Sequence, residues 1–493
     1  MSGDAHSPQN CCGADKVLGG FNSHTPPPIS NLFRQIPAVS DFLVGDECEK
    51  LSREFGEGIL KTELRVLLGE LRTKVSAGLI DRVPERADLI LALRERLLRM
   101  ATPRGRHAIN ATGILLHTGL GRSPLCREAI DALRGMGAYS VLQVDLDSGK
   151  RSLREEKVER MLMELTGCEA ATVVNNNAAA TMLVLNTLAE HKEVIISRGQ
   201  LIEIGGEFRM PDVMAKSSAI MREVGTTNRT HLRDYEKAIN PQTGALIHVH
   251  TSNYRVRGFT GVPDIRELCA LGHRHSLPVI DDLGSGALVP LAGFGIASEP
   301  LVSDSIRAGA DAVCFSGDKL ICGPQSGILC GKKEIIERIR KNPYARMFRV
   351  CKLTLAALEA TLIHFVNGTY SKSLPFYQML SVPMETLDAR AKALSLALAE
   401  IKGIQSEVIE DVSFIGSGSL PDEGIPSRVV RVRLGEAAAK RIGLGDIVGK
   451  LRGGMPSVFC RVQDDALCFD VRTLFEGEEL EISNRLGRIL RHD

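Results

Sequence analysis

Apolar residues recur at three- and four-residue steps near the start of the chain, which is the spacing of an amphipathic helix. The recurrence runs from Leu51 to Val75, and residues 87–100 repeat it. Between residues 107 and 375, short apolar runs alternate with helical patterns. The pattern predicts a helical module over residues 31–106, followed by a domain in which strands and helices alternate.

The apolar runs of the middle region have the length expected of buried strands in a largely parallel sheet. They span residues 171–174, 193–196, 245–249, 278–280 and 312–315. Further on, alternating strands at residues 429–434, 457–462 and 466–471 accompany a helical stretch at 437–452 and a Gly-, Ser- and Pro-rich turn at 416–424. We therefore expect an α/β large domain over residues 107–375 and a small α+β domain over residues 376–493.

Residues 1–30 are mostly small and polar and contain three consecutive prolines, which predicts a disordered tail. This segment lacks the apolar core of a signal peptide, and no run of about 18 apolar residues occurs along the chain. The sequence therefore predicts a cytoplasmic protein without a membrane span.

The net charge of the 493 residues is +1, and aromatic residues make up 4% with no Trp. Such a chain has no global field that would attract RNA, so any nucleic-acid contact requires a local patch. Between Lys61 and Arg106, eleven Lys and Arg stand against six Asp and Glu. A solvated helix face explains this excess, and an RNA-contacting module would carry it too.

The twelve cysteines are scattered without a C-x-x-C pair, which favours buried free thiols over a zinc site or a disulfide framework. His248/His250 and His273/His275 are pairs two residues apart, a spacing that puts both members on one side of a strand. They have no Cys or carboxylate ligand nearby in the sequence. No metal site is expected.

Candidate chemistry follows three of the predicted strands. The first ends in the triplet Asn175-Asn176-Asn177 and leads into an Ala-rich helix that begins near Ala178. A helix start offers unpaired N–H groups to an anion, although a simple capped helix would give the same residues. The P-loop pattern G-x-x-x-x-G-K-[ST] is absent, which excludes that kind of nucleotide site.

The second strand ends in Asp281-Asp282 before a Gly-Ser-Gly turn, and the third ends in Ser316-Gly317-Asp318-Lys319. An anion loop, an acid after a strand and then a lysine after a strand is the order found in pyridoxal-phosphate (PLP) enzymes of the aspartate-aminotransferase fold. There the acid bonds the pyridinium nitrogen and the lysine holds the cofactor. Asp282 is the preferred acid because it opens the turn, and Asp281 is the alternative.

Several blocks of the chain resemble the bacterial selenocysteine synthase family, the L-seryl-tRNA(Sec) selenium transferases, from about residue 31 to the C-terminus. They are residues 33–40, 109–113 (INATG), 116–122 (LHTGLGR), 175–177 (NNN), 204–206 (IGG), 224–230 (VGTTNRT), 252–255 (SNYR), 315–319 (FSGDK) and 417–426. Shorter PLP relatives of this family lack the helical N-terminal module. Its presence favours the member that handles tRNA.

The resemblance implies a role for each matching residue. Lys319 would hold PLP, Asp282 would face the ring nitrogen, and Asn177, Ala178 and Ser316 would lie near the phosphate. Arg122, Arg346 and Arg349 match arginines that bind the selenium donor, and guanidinium groups suit a multiply charged phosphate anion. Arg346 and Arg349 are three residues apart, which would place them on one face of a helix.

The resemblance also implies an activity and its partners. Seryl-tRNA(Sec) would lose its β-hydroxyl to give an aminoacrylyl intermediate on PLP, to which selenium from selenophosphate adds. The resemblance further implies a dimer-based homo-oligomer, which is expected to be a decameric ring.

Three positions depart from the family pattern: Gly119 in place of Asn, Ser152-Leu153 in place of Gly-Ser, and Cys351 in place of an acid. Gly119 and the segment around Ser152 are expected to border the active site. These departures leave open a PLP lyase or transferase that acts on a small phosphorylated or amino-acid substrate. A non-catalytic RNA-binding protein is a further alternative, against which the intact Lys319 argues.

Overall fold

The computed structural model describes residues 29–101, 105–205, 208–296, 299–416 and 419–492. The chain divides into two compact units, Met1–Arg106 and His107–Asp493. The predicted tail, residues 1–30, lies almost entirely outside the described residues.

The first unit is helical, as its apolar periodicity predicts. Its helices are α1 (Ile29–Gln35), α2 (Val39–Phe42), α3 (Asp46–Phe55), α4 (Glu57–Ser76) and α5 (Arg86–Ala101). The apolar stripe is divided between α3 and α4 at Gly56, whose φ of 92° suits glycine better than other residues. Leu64 and Leu68 of α4 are fully buried, as are Leu93 and Leu97 of α5, so the stripes of both helices contribute to one core.

The described part of the second unit contains 14 strands. They are β1 (Ala108–Ala111), β2 (Ala170–Val174), β3 (Glu193–Ser197), β4 (Glu203–Ile204), β5 (Phe208–Arg209), β6 (Ile220–Val224), β7 (Thr243–Val249), β8 (Val279–Gly284), β9 (Ala312–Ser316), β10 (Gly327–Gly331), β11 (Ile404–Gly416), β12 (Ser419–Leu434), β13 (Ser457–Gln463) and β14 (Ala466–Asp470).

Helices of this unit lie between the strands along the chain. They are α6 (Arg127–Gly135), α7 (Glu156–Thr166), α8 (Asn177–Ala189), α9 (Met210–Lys216), α10 (Leu232–Ala238), α11 (Ile265–Arg274), α12 (Val302–Ala308), α13 (Lys333–Lys341), α14 (Pro343–Met347), α15 (Lys352–Val366), α16 (Tyr370–Ser373), α17 (Pro375–Ser381), α18 (Met384–Ala399), α19 (Glu436–Ala439), α20 (Leu444–Gly453) and α21 (Glu478–His492).

The large sheet has seven strands in the order β2-β10-β9-β8-β7-β3-β6. Its strands are parallel except β10, which runs antiparallel to both of its neighbours. Val313 and Phe315 of β9 enter one apolar cluster, whereas Ala312 and Cys314 enter another, so the sheet is covered on both faces. Burial on both faces explains why its strands appear as continuous apolar runs, and all five predicted runs are confirmed as strands.

The small sheet has five strands in the order β1-β13-β14-β12-β11. Its first strand, β1, precedes the large sheet in sequence and runs parallel to β13. The three predicted strands of this region are confirmed, but two other predictions are wrong. The predicted helix at residues 437–452 is divided into α19 and α20, and most of the predicted turn at 416–424 belongs to β12, which pairs with β11 from Ser419 onward.

Candidate active site

A cavity of about 230 Å³ lies at the carboxyl ends of β7, β8 and β9, beside the start of α8. Carboxyl ends of parallel strands meet at one edge of a sheet, where α/β proteins bind their ligands. Six residues singled out from the sequence line this cavity: Arg122, Asn177, Ala178, Asp282, Ser316 and Lys319. The fold therefore brings together side chains that are up to 197 positions apart in the chain.

Lys319 is held in a tight loop after β9 and is only 5% exposed. The loop packs closely: a Cβ on Gly317 would lie 2.1 Å from Ser326 Oγ, and the Gly323 N–H donates to the Gly317 carbonyl. Burial and the positive charge of Arg122 lower the pKa of Lys319, although Asp318 and Asp282 act in the opposite direction. A buried lysine with a lowered pKa can act as a nucleophile toward an aldehyde.

Asp281 and Asp282 are neighbours on β8 and therefore point to opposite faces of the sheet. Asp282 lines the cavity and accepts hydrogen bonds from Asn177 Nδ2 at 2.9 Å and Thr181 Oγ1 at 2.8 Å. Burial raises the pKa of Asp282, while these two hydrogen bonds oppose the shift. Asp281 is instead paired with His248 Nδ1 at 2.7 Å.

Helix α8 begins at the cavity. Asn176 caps the helix, because its side-chain oxygen accepts a hydrogen bond from the Ala179 N–H at 2.9 Å. The N–H groups of Asn177 and Ala178 stand at the first positions of the helix, where no acceptor exists within the helix. A Cβ on Gly327 would lie 2.0 Å from the Asn176 carbonyl oxygen, so β10 can approach this helix start only with glycine there.

These groups fit PLP. The carboxylate of Asp282 suits a pyridinium nitrogen, the start of α8 with the Ser316 hydroxyl suits a phosphate, and Lys319 suits an aldehyde. Asn177 Oδ1 is buried without a hydrogen-bond partner among the described atoms, although its Nδ2 is bonded to Asp282. A buried acceptor without a donor is unfavourable, and a ligand in the cavity could supply the missing donor.

Arg122 reaches the cavity from the loop after β1. Its φ is 65°, an uncommon left-handed conformation for a residue other than glycine, and its Nη1 lies 2.6 Å from Asp318 Oδ2. The preceding segment is bonded to the small sheet and to the turn that follows it: the Leu116 N–H donates to the Ile415 carbonyl of β11, and the Gly113 N–H donates to Thr473 Oγ1 just after β14. Contacts with the C-terminal part of the same unit thus position a residue of the cavity.

Arg346 and Arg349 are exposed and do not line the cavity of their own chain. The prediction that they share one helix face is wrong, because α14 ends at Met347 and Arg349 instead forms a bridge with Val174 at the end of β2. The charge of Arg154 lowers the pKa of Arg349, with further contributions from its burial and from Arg346 and Arg151. The structure therefore gathers both arginines into a cluster of positive charge.

His250 and Ser252 line the cavity after β7; Ser252 begins the family-like block 252–255, but the sequence analysis assigned neither residue a role in the site. Burial and the charge of His248 lower the pKa of His250 to about 4. The idea that His248 and His250 share one side of a strand is wrong, because β7 ends at Val249. The rule that function follows strand ends could have identified His250. The apolar wall formed by Ile202, Phe208 and Met210 carries no such sequence signal.

The positions that depart from the family pattern lie outside the cavity lining. Gly119, Ser152 and Leu153 are not among its residues, so the expectation that they border it is not met within this chain. Cys351 is exposed and precedes α15.

One group of possible metal ligands occurs among the described residues. Cys126, Glu128 and His364 bring ligand atoms within 4.8 Å of one another, and His364 Nε2 lies 3.2 Å from Glu128 Oε2. This contact joins α6 to α15, and its partners are 236 positions apart, so no local sequence pattern indicates it.

The fold and the site define a class: this is the fold of the PLP-dependent, aspartate-aminotransferase-like enzymes. A solved structure of D-glucosaminate-6-phosphate ammonia-lyase is similar in fold, with a TM-score of 0.55, 22% identity, and coverage of 80% of this chain and 98% of that one. In the described residues, no helix combines the length and apolar character needed to cross a membrane.

Sequence comparisons identify the family. The model of the family described as SelA: L-seryl-tRNA selenium transferase matches residues 108–475. An L-seryl-tRNA(Sec) selenium transferase from Desulfomicrobium baculatum is 42% identical over 472 residues, covering 94% of this chain and 100% of the relative. Another from Moorella thermoacetica is 43% identical over 466 residues, covering 93% and 97%. The chain belongs to the L-seryl-tRNA selenium transferase family.

Proposed function

We propose that this protein converts L-seryl-tRNA(Sec) to L-selenocysteinyl-tRNA(Sec), with PLP held on Lys319 and selenophosphate as the selenium donor. The observation that carries the proposal is the buried Lys319, which shares a cavity with Asp282 and the start of α8. The comparison with relatives supports the proposal as well, because the chain is 42% identical to a relative that is named for this activity and matches that relative over its whole length.

Each cavity group has a task in this proposal. Lys319 Nζ would hold the PLP aldehyde, the Asp282 carboxylate would bond the ring nitrogen, and the N–H groups of Asn177 and Ala178 would bind the phosphate together with the Ser316 hydroxyl. When bound, PLP serves as an electron sink for negative charge at the substrate α-carbon. Asn177 has a second task, since its side chain orients Asp282 through the 2.9 Å hydrogen bond.

Lys319 also moves the protons of the reaction. Its lowered pKa makes the neutral amine accessible, so Nζ can take the α-proton of the seryl group. The resulting ammonium can then donate a proton to the departing β-hydroxyl, which leaves as water. The protein thereby needs only one acid–base group for the elimination.

The donor anion depends on Arg122, Arg346 and Arg349. Arg122 already lines the cavity. Arg346 and Arg349 lie in a positive cluster where like charges lower the pKa of Arg349, and a multiply charged anion would relieve that repulsion. Arg346 and Arg349 are exposed and lie outside the cavity of their own subunit, so they could bind the donor at the cavity of a second subunit. A role for them in donor binding therefore favours a dimer-based homo-oligomer. We expect the dimers to assemble into a decameric ring in the cytoplasm.

The test is a turnover assay with seryl-tRNA(Sec) and selenophosphate, in which selenocysteinyl-tRNA is measured. The wild-type protein should give this product, and Lys319→Ala should lose both the product and the absorbance of lysine-bound PLP. Lys341→Ala, at an exposed lysine, serves as the control and should retain both. A PLP band that persists in Lys319→Ala would place the cofactor lysine elsewhere. Absence of the product with an intact PLP band would favour a small-substrate lyase.

A further inference from the structure

The ion pair between Arg122 and Asp318 lies between the cavity and a second pocket. Both residues, together with Gln325, line the cavity that contains Lys319, and all three also line a second pocket of about 410 Å³. Exposed residues Thr118 and Gly121 contribute to this second pocket, which we call the outer pocket. A small solute that entered the outer pocket would therefore meet the ion pair before it reached Lys319.

The pair is held by the backbone on both sides. The Arg122 N–H donates to the His117 carbonyl at 3.0 Å, and the Ser123 N–H lies 3.4 Å from the Asp318 carbonyl oxygen. Asp318 is 7% exposed and directly precedes Lys319, so its carboxylate stays near Lys319 and can turn away from Arg122 only within the two pockets that it lines. Its Oδ2 accepts a hydrogen bond from Arg122 Nη1 at 2.6 Å. An incoming oxyanion would need the same donor.

We propose that Asp318 is a displaceable internal counter-ion, which holds Arg122 in the resting enzyme and yields it to a small, multiply charged oxyanion that arrives through the outer pocket. The exchange replaces one charge-assisted hydrogen bond with another of the same kind, so Arg122 remains paired throughout. This inference rests on the proposed function, because that function assigns the donor anion to Arg122.

The exchange also connects anion binding to Lys319. The charge of Arg122 lowers the pKa of Lys319, and Asp318 raises it. An oxyanion bound to Arg122 adds negative charge beside Lys319 while Asp318 remains nearby, so it should raise the pKa of Lys319 further. The lysine would then be a stronger base when the donor is present than when it is absent.

The test measures binding of inorganic phosphate, a stable oxyanion, to the full-length PLP-loaded protein by calorimetry. If Asp318 competes with the anion, Asp318→Asn should bind phosphate more tightly, by roughly fivefold. Asp318→Glu restores a carboxylate and should bind less tightly than Asp318→Asn. Asp304→Asn, at an exposed aspartate in the first turn of α12, is the control and should bind like the wild type. Weaker or unchanged binding in Asp318→Asn would overturn the inference and make Asp318 a residue that merely orients Arg122.

A second measurement follows the absorbance of lysine-bound PLP against pH, with and without phosphate. In the wild type, phosphate should raise the pH at which the absorbance of lysine-bound PLP changes. The Arg122→Ala variant should show no such shift. A titration that phosphate leaves in place would contradict the connection to Lys319. Neither measurement uses tRNA or selenium, so a protein that responds as expected but forms no selenocysteinyl-tRNA would retain this inference and lose the proposed function.

Discussion

Adjacent carboxylates on β8 have different surroundings because successive side chains of a strand point to opposite faces. Asp282 lines the cavity and is bonded by Asn177 and Thr181. Asp281 is 1% exposed and contacts His248 on the other face. In the proposed mechanism Asp282 therefore acts on the cofactor, whereas Asp281 fixes His248 and supports the sheet beneath the site.

The contact with Asp281 should make stability depend on pH. Burial opposes a charge on His248, but the Asp281 carboxylate outweighs it and raises the pKa of His248. When the pKa of a histidine is higher in the folded than in the unfolded state, its protonation stabilises the fold. This contribution is complete at pH values below the unfolded pKa of about 6.5, and it is lost as the pH rises through the folded pKa. Asp281→Asn should therefore lower the melting temperature more at pH 6 than at pH 9.

Melting curves of wild type, Asp281→Asn and the surface control Asp304→Asn at both pH values would check this. The control should change little at either pH, because its partner Arg307 is an exposed residue of the same helix turn. An equal loss for Asp281→Asn at both pH values would mean that His248 stays uncharged and that the contact is a simple hydrogen bond.

At the scale of elements, apolar runs identified the strands that are buried on both faces, and the ends of these strands indicated Lys319 and Asp282 as candidates, both of which line the cavity. Two strands of the large sheet were missed for different physical reasons. β6 is an edge strand that is largely exposed and contains Arg222 and Glu223, so it lacks an apolar run. β10 is buried but starts and ends with glycine, a residue that usually marks turns.

Contacts between distant parts of the chain could not be predicted from the sequence in the same way. Arg122 and Asp318 are 196 positions apart, and nothing in either segment specifies the other. The choice between Asp281 and Asp282 needed the strand register, since a shift of one residue exchanges the two faces. The resemblance to a family supplied Arg122 as a candidate, but the partner of its guanidinium came only from the structure.

The close approach of β10 to α8 gives a prediction for the cofactor. A Cβ at Gly327 would lie 2.0 Å from the Asn176 carbonyl oxygen and 2.9 Å from the Asn177 nitrogen, so Gly327→Ala must displace the helix start. We expect this variant to bind PLP at least about tenfold more weakly, because the first N–H groups of α8 would no longer converge on the phosphate. PLP affinity can be measured by titrating the apoprotein and following absorbance.

Gly331→Ala is a matched control at the other end of the same strand. Its Cβ would lie 2.2 Å from the Asp311 carbonyl oxygen, a clash of similar size away from the cavity. Both variants should lower the melting temperature, but only Gly327→Ala should weaken PLP. Equal loss of PLP in the two variants would mean that general destabilisation, rather than the position of α8, controls cofactor affinity.

For the whole molecule, charge is distributed unevenly even though the net charge is only +1. Within the N-terminal unit, some arginines support the fold: Arg96 contacts Glu63 and Glu70, and Arg86 lies over the Phe42 ring and bonds nearby carbonyls. Other basic residues lie along α4. Lys61, Arg65 and Arg72 follow one face of this helix at intervals of four and seven residues; Lys61 is paired with Glu57, whereas Arg65 and Arg72 are exposed.

This basic face of α4 yields a prediction about tRNA. If the module binds the tRNA backbone, the double variant Arg65→Glu/Arg72→Glu should weaken tRNA(Sec) binding by about tenfold or more at moderate salt, while PLP binding stays unchanged. The dependence of affinity on salt should also become shallower, because fewer counterions are released when fewer phosphates are neutralised. Lys50→Glu/Arg53→Glu changes the charge of the exposed side of α3 by the same amount and serves as the control. Binding measured across a salt series separates the outcomes. A larger loss in the control would place the contact on α3, and unchanged binding in both would exclude these helix faces as the tRNA contact.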